Sequence, residues 1–149
     1  MANSDNVIRA GLTPKLRDIP NLLAGLTYSF GLQSQHAVQP QPFPPSPDSI
    51  GPLTNGTLFY NPPVPEFSVL RTVVQCGHVE THRPIHGPSI AIVTEGEGFV
   101  RWGGNGDTQS ELNVSLGHVF FTGAGTELTF ESGAREGPLM VYRAFVEVI

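Results

Sequence analysis

Three side chains near the start of the chain have the chemistry to handle a small anion. Arg9 carries a planar, permanently charged fork that matches an oxyanion or a phosphate. Asp5 precedes it and Lys15 follows it, so a carboxylate and a second cation flank the guanidinium. Further along, His78, His82 and His86 recur every four residues, with Glu80 among them. Imidazoles and carboxylates ligate zinc or iron when they converge on one point. A four-residue spacing converges on a helix face, but Pro84, Pro88 and β-branched neighbours exclude a helix here, and Pro84 interrupts any straight strand. These histidines read as exposed loop residues. Glu95 with Glu97, and Glu127 with Glu131, have the look of an acid–base pair. Alternating carboxylates on the solvent side of half-buried strands are far commoner. Gly103-Gly104-Asn105-Gly106 precedes no helix and so makes a hairpin turn, not a nucleotide cradle.

The elements that must position Arg9 are legible around it. Val7 and Ile8 are strand formers, Gly11 permits a turn, and Thr13-Pro14 supplies a hydroxyl cap and a first-turn proline. The run as a whole, Ser4-Asp5-Asn6, then Arg9-Ala10-Gly11, then Thr13-Pro14-Lys15, resembles the end of the signature of type I phosphomannose isomerases. The resemblance extends over the rest of the chain apart from a middle insert. It implies an active-site role for Arg9, with Asp5 and Lys15 as substrate-binding neighbours. It also implies interconversion of mannose 6-phosphate and fructose 6-phosphate. In that family a base moves a proton between C1 and C2 through an enediol while zinc orients the sugar's oxygens. The family's zinc ligands precede this run, and here the run begins at Met1. The chain is therefore expected to be the C-terminal portion of such an enzyme. Zinc belongs to the intact enzyme with ligands outside this chain, none is expected for the chain alone, and the chain alone is expected to be inactive. The parent enzyme is expected in the cytoplasm, feeding GDP-mannose biosynthesis. The rival reading is a non-catalytic, cupin-like binding or scaffolding module.

Composition narrows the classes. The chain has 149 residues, enough for a single core, a net charge of −5 and one lysine, which argue against a nucleic-acid or acidic-membrane surface. No apolar run reaches the length of a membrane span, and the first residues lack the basic and apolar regions of a signal peptide. Cys76, the lone cysteine, cannot form an internal disulfide and reads as a small strand-end hydrophobe.

In chain order, residues 1–15 form the tail of the signature. A linker helix is expected within 16–31, with Asp18 as its cap, Pro20 in its first turn and Leu22, Leu23 and Leu26 as its apolar face. Residues 32–56 hold six prolines and no hydrophobic period, so they read as an exposed Pro/Gln-rich loop. From residue 57 to 149 short β-branched runs alternate with glycine turns, notably at Gly96-Glu97-Gly98 and Gly123-Ala124-Gly125. The expected fold is all-β, a cupin-like antiparallel jelly roll. It is preceded by a short helix and by an N-terminal strand belonging to a domain upstream of Met1. Metal-binding cupins place two histidines and a glutamate before the first of those turns and a histidine after the second. Ser89, and Glu127 or Leu128, stand there instead, so the barrel reads as metal-free.

Overall fold

The computed structural model describes residues 17–28, 30–43, 56–103, 109–133 and 137–146. They fall in two compact units, Met1–Ala37 and Val38–Ile149. In the first unit, α1 (Ile19–Ala24) begins where the sequence places it. The Asp18 carboxylate accepts from the Asn21 backbone N–H at 3.3 Å, and Pro20 occupies the first turn, where its missing donor costs nothing. The helix stops at Gly25, inside the 16–31 stretch expected to hold it, and buries none of its residues, so packing does nothing to extend it.

Two elements occupy the stretch expected to be loop throughout. Helix α2 spans Gln33–His36, with the Gln35 side chain accepting from the Leu32 N–H at 3.2 Å. Strand β1 (Gln41–Pro42) pairs with β2 (Thr57–Tyr60). A two-residue pairing needs no hydrophobic period, and an edge position tolerates proline, so composition alone gives no sign of it.

The second unit is all-β. After β2 come β3 (Ser68–Val74), β4 (Val79–His82), β5 (Ser89–Glu95), β6 (Glu97–Trp102) and β7 (Ser110–Ser115). Then follow β8 (Val119–Thr122), β9 (Leu128–Ser132) and β10 (Leu139–Phe145). One sheet runs β1-β2-β3-β10-β5-β8 and the other β4-β9-β6-β7, with antiparallel pairing throughout. Beyond β3 the chain changes sheet at every connection except β6 to β7. That alternation is the double-sheet jelly roll the sequence predicts. Gly96 alone joins β5 to β6; its φ of 75° favours glycine, and a Cβ there would run into the Pro138 carbonyl oxygen.

Period-two burial follows from the pleat. Leu128, Phe130 and Ser132 of β9 point inward, as do Leu139, Val141, Arg143 and Phe145 of β10. Val74, Ala91, Val93, Val100, Val114, Leu128, Phe130, Leu139 and Val141 make the main core between the sheets. Leu70, Ile85 and Phe145 form a second cluster, against which Phe43 and Phe59 pack. Strand β4, like β1, lies where the sequence reading expects loop. Its apolar Val79 points out and its polar Glu80 and His82 point in, so its hydrophobic alternation is inverted. Pro84 lies beyond its end and does not prevent it.

Removing the Phe130 ring should empty the middle of the core. Phe130→Ala is expected to lower the unfolding free energy by about 3–5 kcal/mol, read as the shift of a urea denaturation midpoint. Glu127→Ala, at an exposed loop position, should stay within about 0.5 kcal/mol.

Candidate functional site

Asp5, Arg9 and Lys15 lie outside the described residues. The carboxylates Glu95, Glu97 and Glu127 are exposed, as expected of solvent-side positions. Glu131 instead joins a surface triad: Arg101 of β6 donates to Glu131 of β9 and, at 2.6 Å, to Glu111 of β7. Glu131 first, then Glu111, raises the Arg101 pKa. Such exposed pairs contribute little to stability.

The three histidines separate. His78 and His86 are exposed, but His82 is fully buried, and Glu80 is buried beside it. The expectation of three surface loop histidines is therefore wrong for His82. Pairing with β9 makes β4 a strand, and the i, i+2 relation then turns Glu80 and His82 to the same inward face.

Around them lies a polar strap inside the barrel, built by alternate residues of five strands. Arg143 of β10 is 1% exposed. Its Nε donates to Ser89 Oγ of β5 at 2.9 Å, and its Nη1 lies 3.4 Å from His82 Nδ1. A guanidinium only donates, so Nδ1 must accept and the ring proton must sit on Nε2. That N–H donates to Thr72 Oγ1 of β3 at 2.8 Å, with Thr57 Oγ1 of β2 at 3.3 Å. Thr57 donates to Glu80 Oε1 at 2.8 Å. Its proton committed there, Thr57 accepts from Thr72 across 3.2 Å. The donors thus all point one way, from the Arg143 cation through His82, Thr72 and Thr57 to the Glu80 carboxylate.

Burial, and secondly the Arg143 charge, pull the His82 pKa down to about 3. Burial likewise lowers that of Arg143 to about 10. The imidazole is held neutral with its tautomer assigned, packed 4.8 Å from the Phe130 ring and edge-on to Phe43 at 5.7 Å. Among the described residues Arg143 Nη2 has no hydrogen-bond partner. No three His, Cys, Asp or Glu side chains group to hold a metal among the described residues. A shallow outer cleft of about 300 Å³, lined by Glu97, Phe99, Asn113, Ser115 and His118, includes none of the strap. The arrangement cross-links both sheets; it does not present a reactive group to solvent.

Of the strap, Thr57, Thr72 and Arg143 escape the sequence reading. Arg143 carries a signal: it shares the parity of Leu139, Val141 and Phe145 in an alternating strand, which assigns it an inward position. The two threonines carry none, since strands are rich in threonine on either face.

Two antiparallel sheets closed over a buried polar strap define a small jelly roll of the cupin kind. Residues 57–105 match the family model described as "Phosphomannose isomerase type I C-terminal". A mannose-6-phosphate isomerase of Cryptococcus neoformans is 47% identical across 99% of this chain and 30% of its own length. That of Schizosaccharomyces pombe is 43% identical across 99% of this chain and 33% of its own. The chain thus spans about a third of the curated relatives it matches. Among solved structures, hydroxypropylphosphonic acid epoxidase from S. wedmorenis superposes with a TM-score of 0.51 at 16% identity, over 60% of this chain and 49% of that one. Vicilin from tomato gives 0.50 at 20%, over 56% and 23%. At such identities they show the fold alone.

The strap generates a pH dependence. Unfolded, His82 takes up a proton near pH 6.5; folded, only near pH 3. Below pH 6.5 the unfolded chain binds the extra proton, so stability is full above that value and falls as pH drops toward 3. Urea denaturation should show a loss approaching about 1.4 kcal/mol per pH unit from this one group. His82→Gln should flatten the slope between pH 6 and 4 relative to the parent chain.

Proposed function

We propose that this chain supplies the C-terminal portion of a mannose-6-phosphate isomerase, interconverting mannose 6-phosphate and fructose 6-phosphate. The observation that carries this reading is similarity along 99% of the chain, far beyond the 57–105 match, to curated enzymes of that name. On this reading residues 1–15 belong with the catalytic part, 16–31 and 32–56 link it to the barrel, and 57–149 form the barrel. Sugar phosphate is the substrate, and the intact enzyme works in the cytoplasm toward GDP-mannose. Among the described residues no helix is long and apolar enough to cross a membrane.

The catalytic assignment within this chain falls on Arg9. Proton transfer between C1 and C2 passes through an enediol whose oxygens gather negative charge. A fixed guanidinium near them lowers the barrier because it is already oriented when the charge develops. Asp5 and Lys15 bind substrate beside it. The described residues form no site for the zinc that the family resemblance implies. The barrel's role is support. The strap's polar groups hydrogen-bond mainly to one another, which favours a scaffolding part for this domain within the enzyme.

In the complete isomerase, Arg9→Ala should cut turnover by roughly a hundredfold to a thousandfold, the usual worth of one oriented charge contact. Zinc content and thermal melting should stay unchanged. Arg9→Lys should recover only part, since the planar fork is lost. Near-normal turnover for Arg9→Ala would assign the residue a structural role and remove it from the active site.

A further inference from the structure

The two sheets differ on their outer faces. On the four-stranded sheet most outward positions are polar, Thr81, Glu97, Arg101, Glu111, Asn113 and Glu131, with Arg101 tied to two of the carboxylates and Val79 and Phe99 as apolar exceptions. That is the ordinary pattern of an antiparallel sheet with one side in water. On the six-stranded sheet the outward positions of β5 and β8 are Ile90, Ile92, Val119 and Phe121, which are 52%, 41%, 56% and 72% exposed. They face each other across the ladder, Ile90 opposite Phe121 and Ile92 opposite Val119, so they form one patch and not scattered points. The patch continues onto β10, where Tyr142 and Ala144 stand beside Ile92 and Ile90. Strand β5 therefore carries apolar residues on both faces, Ala91 and Val93 inward and Ile90 and Ile92 outward, the pattern of a strand covered on both sides. A contiguous apolar surface of this kind marks an interaction site.

We propose that the outer face of β5 and β8 is covered by the part of the isomerase that this chain does not span, docking against it within the same polypeptide. The proposal rests on the functional reading above. Its occupant follows from length: the relatives contain about twice as much further polypeptide as the portion aligned here. A tethered neighbour meets the face at an effective concentration that a free partner or a second copy does not match. The polar four-stranded sheet stays in water.

The test compares this 149-residue chain with a fused isomerase in which it replaces the third of the Cryptococcus neoformans relative to which it aligns. Amide hydrogen exchange over β5 and β8 should be at least about tenfold slower in the fused protein, the equilibrium equivalent of burying one such side chain. The pair Ile90→Lys and Phe121→Lys should abolish that slowing in the fused protein. The same pair should leave the isolated chain as stable as before. Equal exchange in both proteins overturns the proposal. So does an equal loss of stability in the isolated chain, since the face would then be covered within these residues. A reversible dimer of the isolated chain that the lysines dissolve, with unchanged exchange in the fused protein, assigns the face to a second copy and overturns it too. Isomerase activity separates the two readings. A fused protein that protects β8 yet is inactive contradicts the functional reading alone, and an active one with unprotected β8 contradicts the docking alone.

Discussion

A full positive charge sits in the middle of this jelly roll, and the barrel is arranged around keeping it there. The Arg143 guanidinium is 1% exposed and touches no carboxylate among the described residues. Its compensation arrives through neutral intermediaries, His82, Thr72 and Thr57, to Glu80. The chain works because its ends have no choice: a guanidinium only donates and a carboxylate only accepts. Those fixed ends set the tautomer of the buried imidazole and the direction of both hydroxyls. Oriented bonds in a low-dielectric interior reinforce one another, and each one missing would leave a buried group unsatisfied at about 1–3 kcal/mol.

The strap also constrains register. Its members come from β2, β3, β4, β5 and β10, one or two from each, and together these strands span both sheets. A slip of one residue in any of them would turn its member to the outer face and an outward side chain into the core. In β4 the inward face is entirely polar, Glu80 and His82, so hydrophobic burial alone does not hold this strand in place. Its position depends on the ladder to β9 and on the strap. Apolar packing fills the rest of the interior, around Phe130 on one side and Leu70, Ile85 and Phe145 on the other.

An interior whose polar groups hydrogen-bond mainly to one another suits a supporting domain. The residues proposed for chemistry, Asp5, Arg9 and Lys15, stand at the other end of the sequence, and the barrel is a folded body with two unlike surfaces. One outer face carries charges tied to each other; the other is apolar across β5, β8 and part of β10. That asymmetry is written in composition, strand by strand, because a sheet face takes its character from every second residue.

Features set by neighbours in sequence are legible in the sequence itself. Asp18 and Pro20 mark the start of α1 because a cap and a first-turn proline act within one turn. The glycine turns and the β-branched runs mark most of the strands, and the signature around Arg9 is a local pattern. What sequence left undecided is the facing of polar residues inside strands. Parity says that Glu80 and His82 share a face, but not that this face is inward, since the usual guide is hydrophobicity and β4 inverts it. The partners of His82 are Thr72, Thr57 and Arg143, which lie 10, 25 and 61 residues away. Only the closing of two sheets over one another brings them within hydrogen-bonding distance. A buried polar group is defined by what surrounds it, and those surroundings come from segments that are strangers in sequence.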